Sequence, residues 1–204
     1  MRNRTVRRAA FCMLFIICLL LILPACAEGL VSDLKKSEET DGNASGQFSF
    51  RAGVTWEMTV NDVQQLENET MVERRQKEWT VLYPQNRVSV SNYYAYLAYI
   101  FHQDKLRMIM YEFENEPDSS FLYLTGALDS VYGAEKETTA RDVMMIMDQL
   151  YPGRYTDEQL KNVISWSAPD GTRIFLYSYA ENAFAILYAS PETAEAGNYN
   201  TQGL

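Results

Sequence analysis

The sequence after residue 26 contains no cysteine and a single histidine. The three cysteines, Cys12, Cys18 and Cys26, all lie within the first 26 residues. The chain beyond them therefore has no disulfide, no thiolate metal site and no thiol nucleophile. The single histidine, His102, lies in a predicted hairpin loop. One histidine excludes a zinc site of the H-E-x-x-H type and reduces any Ser-His-Asp or Cys-His arrangement to that single residue.

Other signatures of chemistry are missing as well. The sequence has no G-x-x-x-x-G-K or G-x-G-x-x-G phosphate motif, no G-x-S-x-G nucleophile elbow and no calcium loop of the EF-hand type. No cofactor or metal is therefore expected. The composition leaves one catalytic device open, a pair of carboxylates acting on a glycan. The candidate acids are Glu112, Glu114, Glu116, Asp157 and Glu158.

Basic residues are scarce after the start of the chain. Of the 18 lysines and arginines, four precede Cys26, whereas none of the 27 aspartates and glutamates does. The remainder of the chain therefore has a formal net charge of −13. This charge disfavours nucleic acid and anionic membrane surfaces as partners, because both require a basic face.

The start of the chain has the pattern of an export signal. A basic segment precedes an apolar run from Ala9 to Leu23, and small residues follow the run. The run is shorter than the roughly 20 residues that a spanning helix needs. We therefore predict a signal peptide over residues 1–25. The basic segment contains Arg2, Arg4, Arg7 and Arg8.

Two cleavage sites compete at the end of this signal. Leu23-Pro24-Ala25-Cys26 resembles a lipobox, in which Cys26 receives diacylglycerol and then becomes the acylated N-terminus of a membrane lipoprotein. Ala25-Cys26-Ala27 also fits an A-x-A site, which would release the protein without a lipid. A cysteine at this position favours lipidation of Cys26, by fatty acyl chains such as palmitate. Several acyl chains on one residue are enough for stable anchoring to a membrane.

Composition divides the rest into three segments. Residues 26–47 are polar, contain glycine and serine, and predict a flexible tether. Residues 48–190 predict one folded domain, with possible sub-units at 48–116 and 117–190. Residues 191–204 lack an apolar pattern and predict a disordered tail.

The first sub-unit has the pattern of a helix followed by strands. Thr59 and Asp62 form a capping-box pattern ahead of an apolar helical face, and we expect that helix to continue into residues 73–78. Short strands are predicted over 79–83 and 87–91. The aromatic run 93–101 predicts a central strand, which forms a hairpin with 106–113.

The second sub-unit repeats the order of helix and strands. Helical spacing begins after Pro117 and stops at Gly133, and a second helix is predicted over 140–150. Alternating apolar residues on either side of Asp170-Gly171 predict a three-stranded meander that ends near residue 188. The predicted fold class is α+β, with helices packed on one face of an antiparallel sheet in two tandem helix-plus-hairpin units.

Aromatic residues are the surplus that most favours a function. With few helices, only one face of the sheet is expected to be covered, so some rings are expected to be exposed. An exposed aromatic face would bind a peptide, a glycan or a protein. The alternative is that the tyrosines only tile a half-buried sheet. The candidate binding surface consists of Tyr93, Tyr94, Tyr96, Tyr99 and Tyr111.

The segment Phe50–Thr59, followed by Val63, resembles an opening found in small exported proteins and lipoproteins of Gram-positive anaerobes, approximately F-R-G-x-x-W-G-M-T. Its W-G-M-T-x-x-x-V portion is similar to the start of BamE/SmpA-like envelope lipoproteins and of the β-lactamase-inhibitor-protein fold. In this chain Glu57 replaces the second glycine, and Ala52 precedes Gly53. The later segments Gly133–Lys136 and Asp170–Ile174 fit the same pattern loosely.

The resemblance implies two tandem α+β units, no enzyme activity and a role in binding or scaffolding at the cell envelope. It implies no catalytic residues. Independently of the resemblance, Trp56 directly before a capped helix is placed to pack that helix against the sheet. We therefore interpret the motif as structural.

These observations lead to one expectation and two alternatives. We expect an exported, lipid-anchored, non-catalytic protein that binds an envelope or secreted protein or another envelope component. The first alternative is an inhibitor of a secreted hydrolase, which would present an aromatic residue and an acid near Tyr94 or Asp104. The second is a glycan hydrolase with two acids in a deep cleft, one of them with a raised pKa.

Overall fold

The computed structural model describes residues 50–136 and 138–199, and the predicted signal peptide, tether and lipidation site at Cys26 lie outside them. The described residues form four helices, α1 Val60–Leu66, α2 Asp118–Tyr132, α3 Ala140–Met147 and α4 Pro191–Tyr199, and a 3-10 turn at Arg51–Gly53. They also form eight strands: β1 Met71–Gln76, β2 Trp79–Pro84, β3 Val88–Val90, β4 Tyr93–His102, β5 Lys105–Glu114, β6 Lys161–Ser167, β7 Arg173–Ala180 and β8 Ala183–Ala189.

All eight strands belong to one antiparallel sheet in the order β1-β2-β4-β5-β8-β7-β6, with β3 paired to the start of β4. The two predicted sub-units are therefore joined by hydrogen bonds between β5 and β8. The α+β class, the β4–β5 hairpin and the β6–β7–β8 meander agree with the sequence prediction. Among the described residues, no helix is long and apolar enough to cross a membrane.

The first face of the sheet is covered by α1 and α2. Thr59 caps α1 in a complete capping box with Asp62, as the sequence predicts. Side chains that alternate along the strands pack against these helices, and Gly133 ends α2 with a φ of 82°. The core of this face contains Val60, Val63, Phe121, Leu124, Leu128, Leu97, Tyr99, Phe101, Ile109, Phe113, Trp166 and Phe184.

The second face is covered in part by α3 and the segment that follows it. The α3 residues Val143, Ile146 and Met147 pack in one cluster with residues of β5, β7 and β8, such as Met108 and Phe175. Helices therefore pack on both faces of the sheet, and the prediction of helices on one face is not confirmed. The reason lies in β7 and β8, which are apolar on both faces, so each face needs a cover.

Two further predictions are wrong. Residues 73–78 do not extend α1, because α1 ends at Leu66 and Met71–Gln76 is an edge strand with four exposed residues. Residues 191–199 are not disordered but form α4, in which Thr193 and Ala194 are buried. Local bonds stabilise its start, since the Ser190 hydroxyl donates to Thr193 Oγ1 at 2.9 Å.

The Phe50–Thr59 segment packs into the first-face core. Trp56 is 6% exposed, its ring lies edge-on to Phe50 at 4.7 Å, and its Nε1 donates to Thr172 Oγ1 at 2.7 Å. Thr172 lies in the β6–β7 turn, where Asp170 accepts from both its backbone and its hydroxyl. Trp56 is therefore in direct contact with the β6–β7 turn, which supports its structural interpretation.

Candidate functional site

The structure divides the five predicted surface tyrosines between the two faces of the sheet. Tyr94 and Tyr96 are 63% and 44% exposed, and strand alternation places both on the second face. Tyr99 is fully buried in the first-face core, and Tyr93 and Tyr111 pack against the same core. Burial raises the pKa of Tyr111 to about 12. The five residues therefore form no common surface, because successive residues of one strand point to opposite faces.

Tyr94 and Tyr96 instead belong to a surface that the sequence alone does not predict. It occupies the corner of the second face over β1, β2 and the start of β4. We call it the tyrosine–arginine face. Its members are Arg74, Tyr83, Arg87, Tyr94, Tyr96 and Arg154, of which only Tyr83 is half-buried and the others are exposed.

Each arginine of this face lies over a tyrosine ring. The guanidinium of Arg87 is 4.3 Å from the Tyr96 ring centroid, and its Nη2 donates to Tyr96 Oη at 2.8 Å. The Arg74 guanidinium lies 5.5 Å from the centroid of Tyr83, on the neighbouring strand. Stacking holds these long side chains in place, so less conformational entropy is lost when they bind a further group.

Arg154 connects the segment after α3 to the sheet. Its Nη2 donates to Glu112 Oε1 at 2.6 Å, and its guanidinium lies 5.1 Å from the Tyr155 ring and 5.5 Å from the Tyr151 ring. Glu112 is directly opposite Tyr96 in the β4–β5 pairing, on the second face. The ion pair therefore joins the segment after α3 to the tyrosine–arginine face.

Glu112 is a carboxyl of this surface whose environment shifts its pKa. Burial raises the pKa of Glu112 above its usual value, and the neighbouring Arg154 opposes part of that rise. Burial also raises the pKa of the nearby phenols Tyr155, Tyr177 and Tyr179. These phenols therefore stay protonated at neutral pH.

A shallow, open cleft borders the face. It is lined by Gln76, Tyr151, Pro152, Gly153 and Arg154 and has a volume of about 440 Å³. It lies between the end of β1 and the segment after α3. Neither Glu112 nor Glu114 lines it, so the cleft is not the two-acid cleft that a glycan hydrolase requires.

The other residues singled out by sequence have local partners. His102 lies 3.1 Å from Glu78 Oε2 and against the ring of Trp79. Asp104 accepts from the Val60 backbone at the start of α1 at 3.2 Å, and Glu116 accepts from Ser120 at the start of α2.

Asp157 and Glu158 are exposed in the segment before β6. Within residues 50–136 and 138–199, no group of three or more histidine, cysteine or carboxylate side chains is arranged to hold a metal ion.

Comparison of the chain with family models, with curated proteins and with solved structures gives no match. The contacts and charges of the tyrosine–arginine face are therefore the observations that bear on its function.

Sequence reasoning missed the three arginines of the site. Arg74 lies in a charged run interpreted as helix, Arg87 in a short strand, and Arg154 in an irregular segment. The position of Arg154 depends on a contact with Glu112 across 42 residues, which no local pattern indicates.

Proposed function

We propose that this protein is an exported lipoprotein, anchored through Cys26, that binds an envelope or secreted protein through the tyrosine–arginine face and does not catalyse a reaction. The single observation that carries the proposal is an exposed cluster of tyrosine and arginine side chains on a sheet face that α3 leaves open. The polar segment 26–47 would hold that face away from the membrane.

The composition of the face supports a protein as the partner. Tyrosine, tryptophan and arginine are enriched in the energetically important parts of protein interfaces, and lysine is depleted. The face contains three tyrosines and three arginines and no lysine. Tyr94 is the most exposed of these tyrosines, and it is positioned to become an anchor that is desolvated on binding.

A site-specific photocrosslinker tests the proposal. Benzoylphenylalanine in place of Tyr94 should capture one stoichiometric envelope or secreted protein in living cells. The matched control is Leu122, which is 69% exposed on α2, the helix that covers the opposite face. The proposal is overturned if Tyr94 captures nothing, or if both positions capture the same set of proteins.

Metabolic labelling tests the anchor. An alkyne-labelled palmitate should label the wild-type protein and leave Cys26→Ser unlabelled, and the substituted protein should leave the membrane fraction. Equal labelling of both proteins would refute lipidation at Cys26.

Inhibition of a secreted hydrolase is a narrower form of the same proposal. The backbone of Asp104 has a φ of 62° and its carboxylate is bound to the start of α1, so it does not project freely. Tyr94 is the remaining anchor named by the sequence. If the captured partner is a hydrolase, its activity should fall when the wild-type protein is added and not when Tyr94→Ala is added.

One observation favours glycan hydrolysis as a second candidate. Glu112 has a raised pKa, and Glu114 lies two residues further along the same face of β5, about 7 Å away along the strand. Both acids are paired with arginines, Glu112 with Arg154 and Glu114 with Arg87 at 3.4 Å. This candidate predicts release of reducing ends from purified cell-wall glycan, and loss of that activity in Glu112→Gln.

A further inference from the structure

The three arginines of the tyrosine–arginine face differ in how their charge is compensated. Arg87 lies 3.4 Å from Glu114, and Arg154 is bound to Glu112. Arg74 has a stacking partner in Tyr83 but forms no ion pair with any other described residue. Glu116 also acts electrostatically on Arg87. Among the described residues of the face, Arg74 is therefore the arginine without a paired acid, on a domain that is strongly acidic elsewhere.

The type of cation matters as much as the charge. An arginine presents a planar set of five N–H donors that fits a carboxylate with two parallel hydrogen bonds. Arg87 uses Nη2 for Tyr96 and Glu114, and its stacking on the Tyr96 ring fixes the plane of the guanidinium. Arg74 over the Tyr83 ring and Arg87 over the Tyr96 ring thus present donor groups on the same face of the sheet.

We propose that the partner protein docks on this face through an acidic segment, whose aspartate or glutamate carboxylates bind Arg74 and Arg87 while its apolar groups pack on Tyr94 and Tyr96. This inference rests on the proposed binding function and specifies the chemistry of the partner. Lysine would bind such an acid as a point charge, whereas the arginines set the orientation of the bound segment.

The acidic character of the whole domain does not prevent this interaction. Charges are screened beyond about 8 Å at physiological ionic strength, so the distant acids of the domain contribute little. Glu112 and Glu114 lie within that distance but are paired with Arg154 and Arg87, so an approaching carboxylate meets Arg74 as the unpaired cation of the face. The salt dependence of binding distinguishes attraction to the arginines from repulsion between two acidic proteins. Added salt should weaken the complex, because local attraction is screened, whereas a complex limited by repulsion between two acidic proteins would tighten.

The experiment uses the full-length protein with the partner captured at Tyr94, and a zero-length carbodiimide crosslinker as the probe. Arg74→Lys places a primary amine where a partner carboxylate is expected. The carbodiimide activates that carboxylate, and the lysine amine then displaces the activating group as a urea to form an amide. The matched control is Arg75→Lys, because Arg75 lies next on β1, points to the opposite face and has a side chain that is 76% exposed.

A positive result is an amide between position 74 and an aspartate or glutamate of the partner, seen by mass spectrometry for Arg74→Lys and not for Arg75→Lys. Arg74→Glu and Arg87→Glu should each weaken binding by about tenfold or more. The inference is overturned, with the binding function intact, if Tyr94 captures a protein but neither glutamate substitution weakens binding or position 74 forms no amide. If Tyr94 captures glycan or nothing, both proposals fail.

Discussion

Glu57 has a backbone conformation that is unfavourable for a glutamate and a side chain that stabilises the fold. Its φ is 72°, in the left-handed region that favours glycine. Its carboxylate binds Lys105 and the largely buried Arg107, which is also held by Glu192 at 2.8 Å. Substitution by alanine and by glycine separates these two contributions.

The expected difference in unfolding free energy between the two variants has contributions from the folded and from the unfolded chain. A non-glycine residue in the left-handed region costs about 1–2 kcal/mol, whereas glycine loses about 0.5–1 kcal/mol more than alanine in conformational entropy on folding. Both substitutions remove the same ion pairs. Glu57→Gly should therefore be about 1 kcal/mol more stable than Glu57→Ala, which reverses the usual order of glycine and alanine.

Urea unfolding, followed by tryptophan fluorescence, measures the difference. At this chain length about 1 kcal/mol corresponds to a melting temperature roughly 2–4 °C higher for Glu57→Gly. Hydrogen bonding to Lys105 lowers the pKa of Glu57, so the carboxylate stabilises the fold above its unfolded-state pKa. That contribution is lost as pH falls through the lowered folded-state pKa, so wild type and Glu57→Ala should converge in acid. If Glu57→Gly is no more stable than Glu57→Ala, the assignment of backbone strain is wrong.

Two further predictions concern buried polar contacts. Trp56→Phe and Thr172→Val each remove the 2.7 Å hydrogen bond between these residues. Each substitution should lower the free energy of unfolding, measured by chemical unfolding, by about 1–3 kcal/mol. The double substitution should lower it by less than the sum of the two, because both remove the same contact. Additive costs would show that the bond contributes nothing. Arg154→Ala should raise the pKa of Glu112 further, because the guanidinium opposes the effect of burial, and carboxyl carbon NMR titration measures it. A lower or unchanged pKa would refute the electrostatic role of Arg154.

Much of the fold was predictable because its signals are local. The capping box at Thr59, the stop at Gly133 and the turn at Asp170-Gly171 each depend on a few neighbouring residues, and the structure has all three features. The tail was mispredicted because α4 lacks a strong apolar face, and contacts with distant residues stabilise it. Arg107 lies on β5, 85 residues before its partner Glu192, and binds it at 2.8 Å.

Less of the candidate site was predictable, because it depends on which face each residue occupies and on how strands are ordered. The run of tyrosines in β4 indicated an aromatic strand correctly, but alternation places only every second ring on the open face. Arg74 and Arg87 join those rings because β2 and β3 both pair with β4, which a sequence pattern does not specify. The sequence thus predicts a tyrosine-rich strand and not the arginines that lie beside its exposed rings.

The buried polar contacts at the start of the domain lie apart from Tyr94, and this separation makes the role of Tyr94 testable. The buried Glu67 accepts from Tyr99 and Arg51, which fixes the start of the domain to the first face. Tyr94 contributes little burial, since it is 63% exposed, so its replacement should cost little stability. A substitution at Tyr94 that abolishes partner capture while leaving the unfolding curve unchanged would therefore report on recognition and not on folding.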